Sequence, residues 1–204
     1  MTAAGRATSG ETGTAAPRRV LALSGSLRAR SHNTDMLRAA QLLAPAGLEI
    51  VLYAGLGELP LFNPDRDDDP APSQVSALRA AVGASDGLLI ACPEYAHGVP
   101  GAFKNALDWL VGSSEFPNKP VALFNASPRA SHAQAALREI LTTMSARLVD
   151  EASIALPLLG RDPDAGAIAT DETLAAPIRT ALRAYRLALD GIAAAHADNA
   201  AVWG

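Results

Sequence analysis

Two stretches of this chain concentrate the residue types that do chemistry. The first reads Ser24-Gly25-Ser26-Leu27-Arg28-Ala29-Arg30-Ser31-His32-Asn33-Thr34. Hydroxyls, an amide side chain and arginines follow a short apolar run, and a helical pattern opens at their end. The unpaired N–H groups and positive dipole end of a helix N-terminus favour an anion at such a place. Arg28 can add a bidentate, charge-assisted contact to a phosphate. Ser31 or Asn33 also suits the plain task of capping the helix, but a cap needs one polar residue and this loop has several. The stretch lacks the Lys-Ser/Thr ending of a Walker loop and any Gly-x-Gly-x-x-Gly, so a phosphomonoester fits it better than a nucleoside triphosphate or a dinucleotide pyrophosphate. The second stretch reads Pro93-Glu94-Tyr95-Ala96-His97-Gly98-Val99-Pro100. Pro93 stiffens the exit from another apolar run, Pro100 suits the first turn of a following helix, and Gly98 is the expected holder of an unusual backbone conformation. Such a loop can lay N–H groups along the polar edge of a flat ring. His97, taken alone, reads as an exposed loop histidine more readily than as a catalyst.

Loops of this kind need a scaffold, and the chain supplies a regular one. Strands are expected at 19–24, 48–53, 86–92, 120–125 and about 149–156, with helices at 33–44, 72–84, 101–112, 132–146 and 171–195. The first, third and fourth strands are almost continuously apolar, as when both faces of a sheet are covered. In the last helix Leu174, Ile178, Leu182, Tyr185 and Leu189 recur at spacings of three and four, which is one face of a helix. Successive βα units imply a parallel sheet with right-handed crossovers. In open α/β sheets ligands bind beyond the carboxyl ends of the strands, where the loops at 24–34, 93–100 and 125–132 fall.

A length of 204 residues suits one domain. Residues 1–17 read as a disordered tail, 18–195 as the domain and 196–204 as a C-terminal tail. The net charge of −4, with no cluster of Lys and Arg, argues against nucleic acid. Arg18-Arg19 before an apolar run imitates a twin-arginine signal, but Ser24-Gly25-Ser26 break that run too early for a secretory segment. No apolar run is long enough to span a membrane, and the cytoplasm is the expected location. A single cysteine, Cys92, excludes an internal disulfide and a multi-thiolate metal site.

The ordered motifs carry a family resemblance. Gly25-Ser26-Leu27-Arg28 with Ser31 and Asn33, then Pro93-Glu94-Tyr95, then Pro100-Gly101 with Lys104-Asn105-Ala106-Leu107-Asp108-Trp109, resemble the NADPH-dependent FMN reductase family over residues 18–190. The resemblance implies an α/β fold of flavodoxin-like type, a doubly wound five-stranded parallel sheet with helices on both faces. It implies FMN as cofactor, NADPH or NADH as electron donor, a small oxidant such as a quinone as acceptor, and a homodimer or homotetramer. By the same resemblance Ser26, Arg28, Ser31 and Asn33 hold the FMN phosphate, with Ser24 and His32 of the same loop in the site. Pro93, Glu94 and Tyr95 lie beside the ribityl chain and ring, with Ala96, His97 and Gly98 completing that loop, and Ser127 lies near the ring. No catalytic side chain is assigned, because the flavin carries the chemistry. N–H donors from residues 93–98 and the helix start near Pro100 would meet the charge that develops at the pyrimidine end of the ring.

The family commonly has Asn where this chain has Ala96 and Ser where it has Gly98, and the 125–132 loop lacks the glycine-rich stretch of many members. The helix at 101–112 and the Leu59-Pro60-Leu61-Phe62 segment are expected either at a subunit interface or packed on their own core. An electron-carrying flavodoxin, or a flavin-binding module without nicotinamide turnover, is the alternative; carriers usually sandwich the ring between aromatics, and only 4% of these residues are aromatic. Asp65, Asp67 and Asp69 imitate the first ligands of an EF-hand, but Pro70 stands where its glycine belongs and Ser76 where its final Glu belongs. No metal is expected. Cys92 at the end of an apolar strand reads as core packing and not as a nucleophile.

Overall fold

The computed structural model describes residues 16–67, 70–158, 160 and 163–203. The expected N-terminal tail lies outside them, apart from Ala16 and Pro17. Parallel strands β1 (Arg18–Ser24), β2 (Leu48–Leu52), β3 (Gly87–Ala91) and β4 (Pro120–Asn125) alternate with helices α1 (His32–Leu42), α2 (Ser73–Gly83), α3 (Gly101–Val111) and α4 (Ser131–Thr143). The sheet continues with β5 (Arg147–Leu148) and β6 (Ile154–Ala155), both paired with β4, in the order β2-β1-β3-β4-β5. This is the flavodoxin-like order, with the chain switching direction across the sheet at β1 and β3.

Side-chain alternation explains why the central strands carry apolar residues at almost every position. Val20 and Ala22 of β1 join Leu89 and Ala91 of β3 in one core, while Leu21 and Leu23 join Leu88 and Ile90 in the other. The first core is covered by α1 through Met36 and Leu37 and by the last helix, α6 (Glu172–Trp203). The second is covered by α2, α3 and α4 through Leu78, Phe103, Leu107 and Leu137. The expected face of α6 is the buried one: Leu174, Ile178, Leu182, Tyr185 and Leu189 are all in the first core. The backbone of α6 continues past the expected end at 195 to Trp203. Among the described residues no helix is long and apolar enough to cross a membrane.

Two elements depart from the sequence reading. The fifth strand is split by a 3-10 turn, Asp150–Ala152. Ser153 bridges the split: its Oγ accepts from Leu123 N of β4 at 3.0 Å, where a backbone acceptor would otherwise pair, and donates to Val149 O at 3.1 Å. A short helix that the periodicity did not reveal, α5 (Ala165–Thr170), packs against α1. Asp164 caps it by accepting from Ala167 N at 2.8 Å. Asp171 then starts α6 by accepting from Thr173 N at 2.9 Å.

The conspicuous motif on α3 is largely architectural. Trp109 Nε1 and Asn105 Nδ2 both donate to Pro60 O, at 2.8 and 2.9 Å, and Asn105 Oδ1 accepts from Phe62 N at 2.7 Å. The Phe62 ring stands edge-on to Trp109 with centroids 5.0 Å apart. The 59–62 segment and α3 thus pack on each other, while Leu61 and Val111 stay exposed.

Tyr185 fastens α6 to the sheet. Its buried Oη lies 2.8 Å from both Leu88 O and Pro120 O and shares its proton between them. Burial pushes its phenol well above the ordinary tyrosine value, so it stays a neutral donor. The hydroxyl occupies the space above Gly87, where an added Cβ would lie 2.3 Å from it. Gly87→Ala is therefore expected to destabilise the fold by about 2 kcal/mol or more through overpacking. The cost should be smaller in a Tyr185→Phe background, which urea unfolding of the double-mutant cycle would measure.

Candidate functional site

At the carboxyl ends of β1, β3 and β4 three loops enclose a cleft of about 650 Å³, within the usual range of roughly 300–1,000 Å³ for small-molecule sites. The chains leaving β1 and β3 touch. Gly25 N donates to Ala91 O at 2.8 Å, and a Cβ on Gly25 would lie 2.8 Å from Cys92 Sγ. The β1 loop is tied internally by its own hydroxyls. Ser24 Oγ bonds Thr34 Oγ1 at 2.8 Å and accepts from Ser26 N at 3.3 Å, while Ser26 Oγ accepts from Arg28 N at 3.4 Å. Ser31 is the N-cap of α1 and accepts from Thr34 N at 3.5 Å.

Nine of the thirteen expected site residues line the cleft: Ser26, Arg28, Ser31, His32 and Asn33 from the β1 loop, Pro93, Glu94 and Tyr95 from the β3 loop, and Ser127 from the β4 loop. Ser24, Ala96, His97 and Gly98 are not among its lining. Ser24 is buried beneath the loop it braces, and the other three form the outer turn of the β3 loop. Ser26, Ser31 and Asn33 are buried, whereas the Arg28 side chain is exposed. The cleft also takes in residues that local reading passed over: Arg30, Asp35 and Arg38 beside the start of α1, Asn125, Arg129 and Ala130 beside Ser127, and Pro163-Asp164 before α5. Asp35 and Arg38 pair at 3.6 Å. Asn125 Oδ1 accepts from Ser127 N at 2.9 Å and shapes that loop. The Asn125 and Arg129 positions were legible as strand-end polar residues; Pro163-Asp164 arrive through tertiary packing of α5 and carried no local signal.

The β3 loop corrects the expectation for Gly98, whose φ is not positive. The left-handed residues are Ala96 (φ 49°) and His97 (φ 60°). They are the two central residues of a tight turn in which Tyr95 N donates to Gly98 O at 3.1 Å and Gly98 N to Tyr95 O at 3.0 Å. This is the primed-turn geometry that favours Asn-Gly. Each non-glycine residue held there costs about 1–2 kcal/mol. Pro100 stands one position earlier than expected, as N-cap of α3, with its carbonyl accepting from Lys104 N at 2.9 Å.

Glu94 joins this loop to the next. Its Oε2 accepts from Ala133 N in the first turn of α4 at 2.9 Å, and its Oε1 lies 3.1 Å from His97 Nδ1. The Ala133 N–H, working against partial burial and helped by the His97 and His132 imidazoles, holds the Glu94 carboxyl below the ordinary value. Cys92 is buried, and burial pushes its thiol up to about 12. It is a packed, protonated thiol under the cleft, as read from its place in the strand. Among the described residues no group of three His, Cys, Asp or Glu could hold a metal ion. Of the EF-hand imitation, Asp67 pairs with Arg79 at 2.8 Å, and Asp69 lies outside the described residues.

Fold and cleft together define a parallel α/β protein with a cleft beyond the strands on either side of the switch point and the start of α1 in one wall. The NADPH-dependent FMN reductase family matches residues 18–158, and the chain belongs to that family. It is 33% identical over 174 residues to an NAD(P)H-dependent FMN reductase of Pseudomonas aeruginosa, covering 83% of this chain and 94% of that one. It is 38% identical over 104 residues to a quinone reductase of Escherichia coli K12, covering 50% of this chain and 54% of that one. The chain thus spans about half the length of the quinone reductases it matches. The solved structure of FerB, a flavoenzyme NAD(P)H:(acceptor) oxidoreductase of Paracoccus denitrificans, superposes with a TM-score of 0.75 at 29% identity, over 85% of this chain and 98% of that one.

The strained turn yields a prediction. Ala96 is exposed, so its methyl group packs little. Ala96→Gly should raise stability by about 0.5–1 kcal/mol by removing the left-handed penalty, net of the added freedom of the unfolded chain. Thermal unfolding of the two proteins checks the sign.

Proposed function

We propose that the cleft binds one FMN and that the protein passes reducing equivalents from NAD(P)H to small oxidants such as quinones. The observation that carries this reading is the convergence, at the start of α1, of buried Ser26, Ser31 and Asn33 with exposed Arg28, in one cleft with Pro93, Tyr95 and Ser127. These residues suit the cofactor. A helix start with neighbouring hydroxyls and an arginine matches a phosphomonoester, and the Pro93 and Tyr95 side of the cleft matches an aromatic ring. FMN, when bound, supplies a two-electron carrier that the polypeptide itself lacks.

The chain's own groups bind, orient and wall off. Ser26, Arg28, Ser31 and Asn33 would hold the phosphate, and Ser24 keeps their loop closed by its bond to Thr34. Pro93 and Tyr95 would flank the ring on the β3 side, and Ser127 on the β4 side. Two of the cleft's titratable groups are already engaged within the protein. The Cys92 thiol stays protonated, and Glu94 is committed to Ala133 N and His97 as a carboxylate. On this reading nicotinamide and acceptor take turns at one face of the ring; the concavity of about 250 Å³ beside Lys119 and Leu189 lies at the opposite ends of β3 and β4, far from the cleft loops.

Two experiments test this reading. Arg28→Ala should weaken FMN by about one to two decades, as for loss of a charge-assisted hydrogen bond, and should weaken riboflavin much less. Equal weakening of both would mean that Arg28 does not meet the phosphate. NADPH or NADH alone should bleach the yellow protein and a benzoquinone should restore its colour, with parallel double-reciprocal plots in steady state because one partner must leave before the next enters. Intersecting plots would contradict the shared place, and a flavoprotein that neither nucleotide bleaches would be an electron carrier.

A further inference from the structure

Glu94 has an unusual position for a residue of a ring-side loop. Only 15% of its side chain is exposed, against 76% for His97, and both its oxygens are engaged by groups that belong to the protein. One partner, Ala133 N, lies in the first turn of α4, whose N-cap Ala130 has no side chain to satisfy the helix start. The other, His97, is one of two consecutive non-glycine residues held in the left-handed region. The same two loops touch again where the His97 ring stands edge-on to His132 of α4, with centroids 4.4 Å apart. A turn strained at both central positions persists only when its surroundings over-determine it, and these contacts are what the β4 side provides. Tyr95, which begins the turn, lines the cleft with its side chain half exposed.

We propose that Glu94 is a positioning residue: by bridging Ala133 N of α4 and His97 of the strained turn, it clamps the β3 loop to the β4 loop and so fixes Tyr95 and the turn at the flavin edge of the cleft. The proposal rests on the FMN reading for its consequence, but the clamp itself is a property of the polypeptide. Glutamine preserves an acceptor for Ala133 N–H and a donor toward His97; alanine preserves neither. The charge is dispensable on this view, and the bridge is not.

The test compares the full-length wild type with Glu94→Ala and Glu94→Gln, each verified as folded by circular dichroism. The first readout is amide hydrogen exchange of the FMN-free proteins at Tyr95 and Gly98, whose cross-turn bonds do not involve Glu94. The second is FMN affinity by quenching of flavin fluorescence, with the visible spectrum of the bound flavin. Glu94→Ala should speed exchange at both amides, lower FMN affinity about tenfold and shift the spectrum, and Glu94→Gln should restore all three to near wild-type values. Unchanged exchange in Glu94→Ala would overturn the clamp, as would a Glu94→Gln protein that behaves like Glu94→Ala. Faster exchange with unaltered FMN affinity and spectrum would overturn the positioning role. A wild type that binds no FMN would overturn the flavin reading and the role with it, while the exchange data would still report separately on the clamp.

Discussion

A Cβ on Gly25 would lie 2.8 Å from Cys92 Sγ and 3.2 Å from Cys92 Cα, so the chain leaving β1 runs directly against the chain leaving β3. Parallel pairing puts Ser24 opposite Ala91 at the ends of those strands, and the absent side chain at residue 25 lets the two loops diverge from one point. Everything in the cleft is referred to that contact. The β1 loop turns one way into α1 and carries the polar residues; the β3 loop turns the other way and carries the proline, the tyrosine and the glutamate. A larger residue at 25 would have to part the strand ends or displace Cys92, and the cleft would lose its floor.

The two walls are built on different physics. The β1 wall is held by short polar side chains that bond one another and their own backbone, with Ser24, Ser26, Ser31 and Thr34 closing the loop. Loop groups that bond one another need less ordering when a ligand binds, which lowers the cost of binding. The β3 wall is held by a carboxylate that reaches across to another helix, and it includes a strained turn. Beside that turn Glu94, His97 and His132 bring the β3 loop and the start of α4 together.

Motifs that stand out by residue type divide between the site and its support. Lys104, Asn105, Asp108 and Trp109 look like chemistry in a sequence, yet Asn105 and Trp109 spend their polar atoms on Pro60 O and Phe62 N, and Lys104 pairs with Asp108 at 2.5 Å. Their effect on the cleft is indirect: they hold the helix that follows the β3 loop. Tyr185 plays the corresponding part on the other face, with a buried hydroxyl bridging carbonyls of β3 and β4.

The sequence by itself determined the strands, the helices between them, and the end of the sheet at which polar residues collect. These depend on short-range periodicity, and apolar runs such as Val20-Leu21-Ala22-Leu23 leave little choice when both faces are buried. It also determined the polar character of the β1 loop and the inertness of Cys92. Tertiary structure alone decided the rest. Ala96 and His97, and not Gly98, take the left-handed conformation, and the loop that holds them bonds through Glu94 to a helix that begins more than thirty residues later. Pro163-Asp164 enter the cleft beside α5, which packs against α1, and at the break in the fifth strand Ser153 meets Leu123 N of β4. In each case a partner distant in sequence is in contact, and no local pattern of residue types records it.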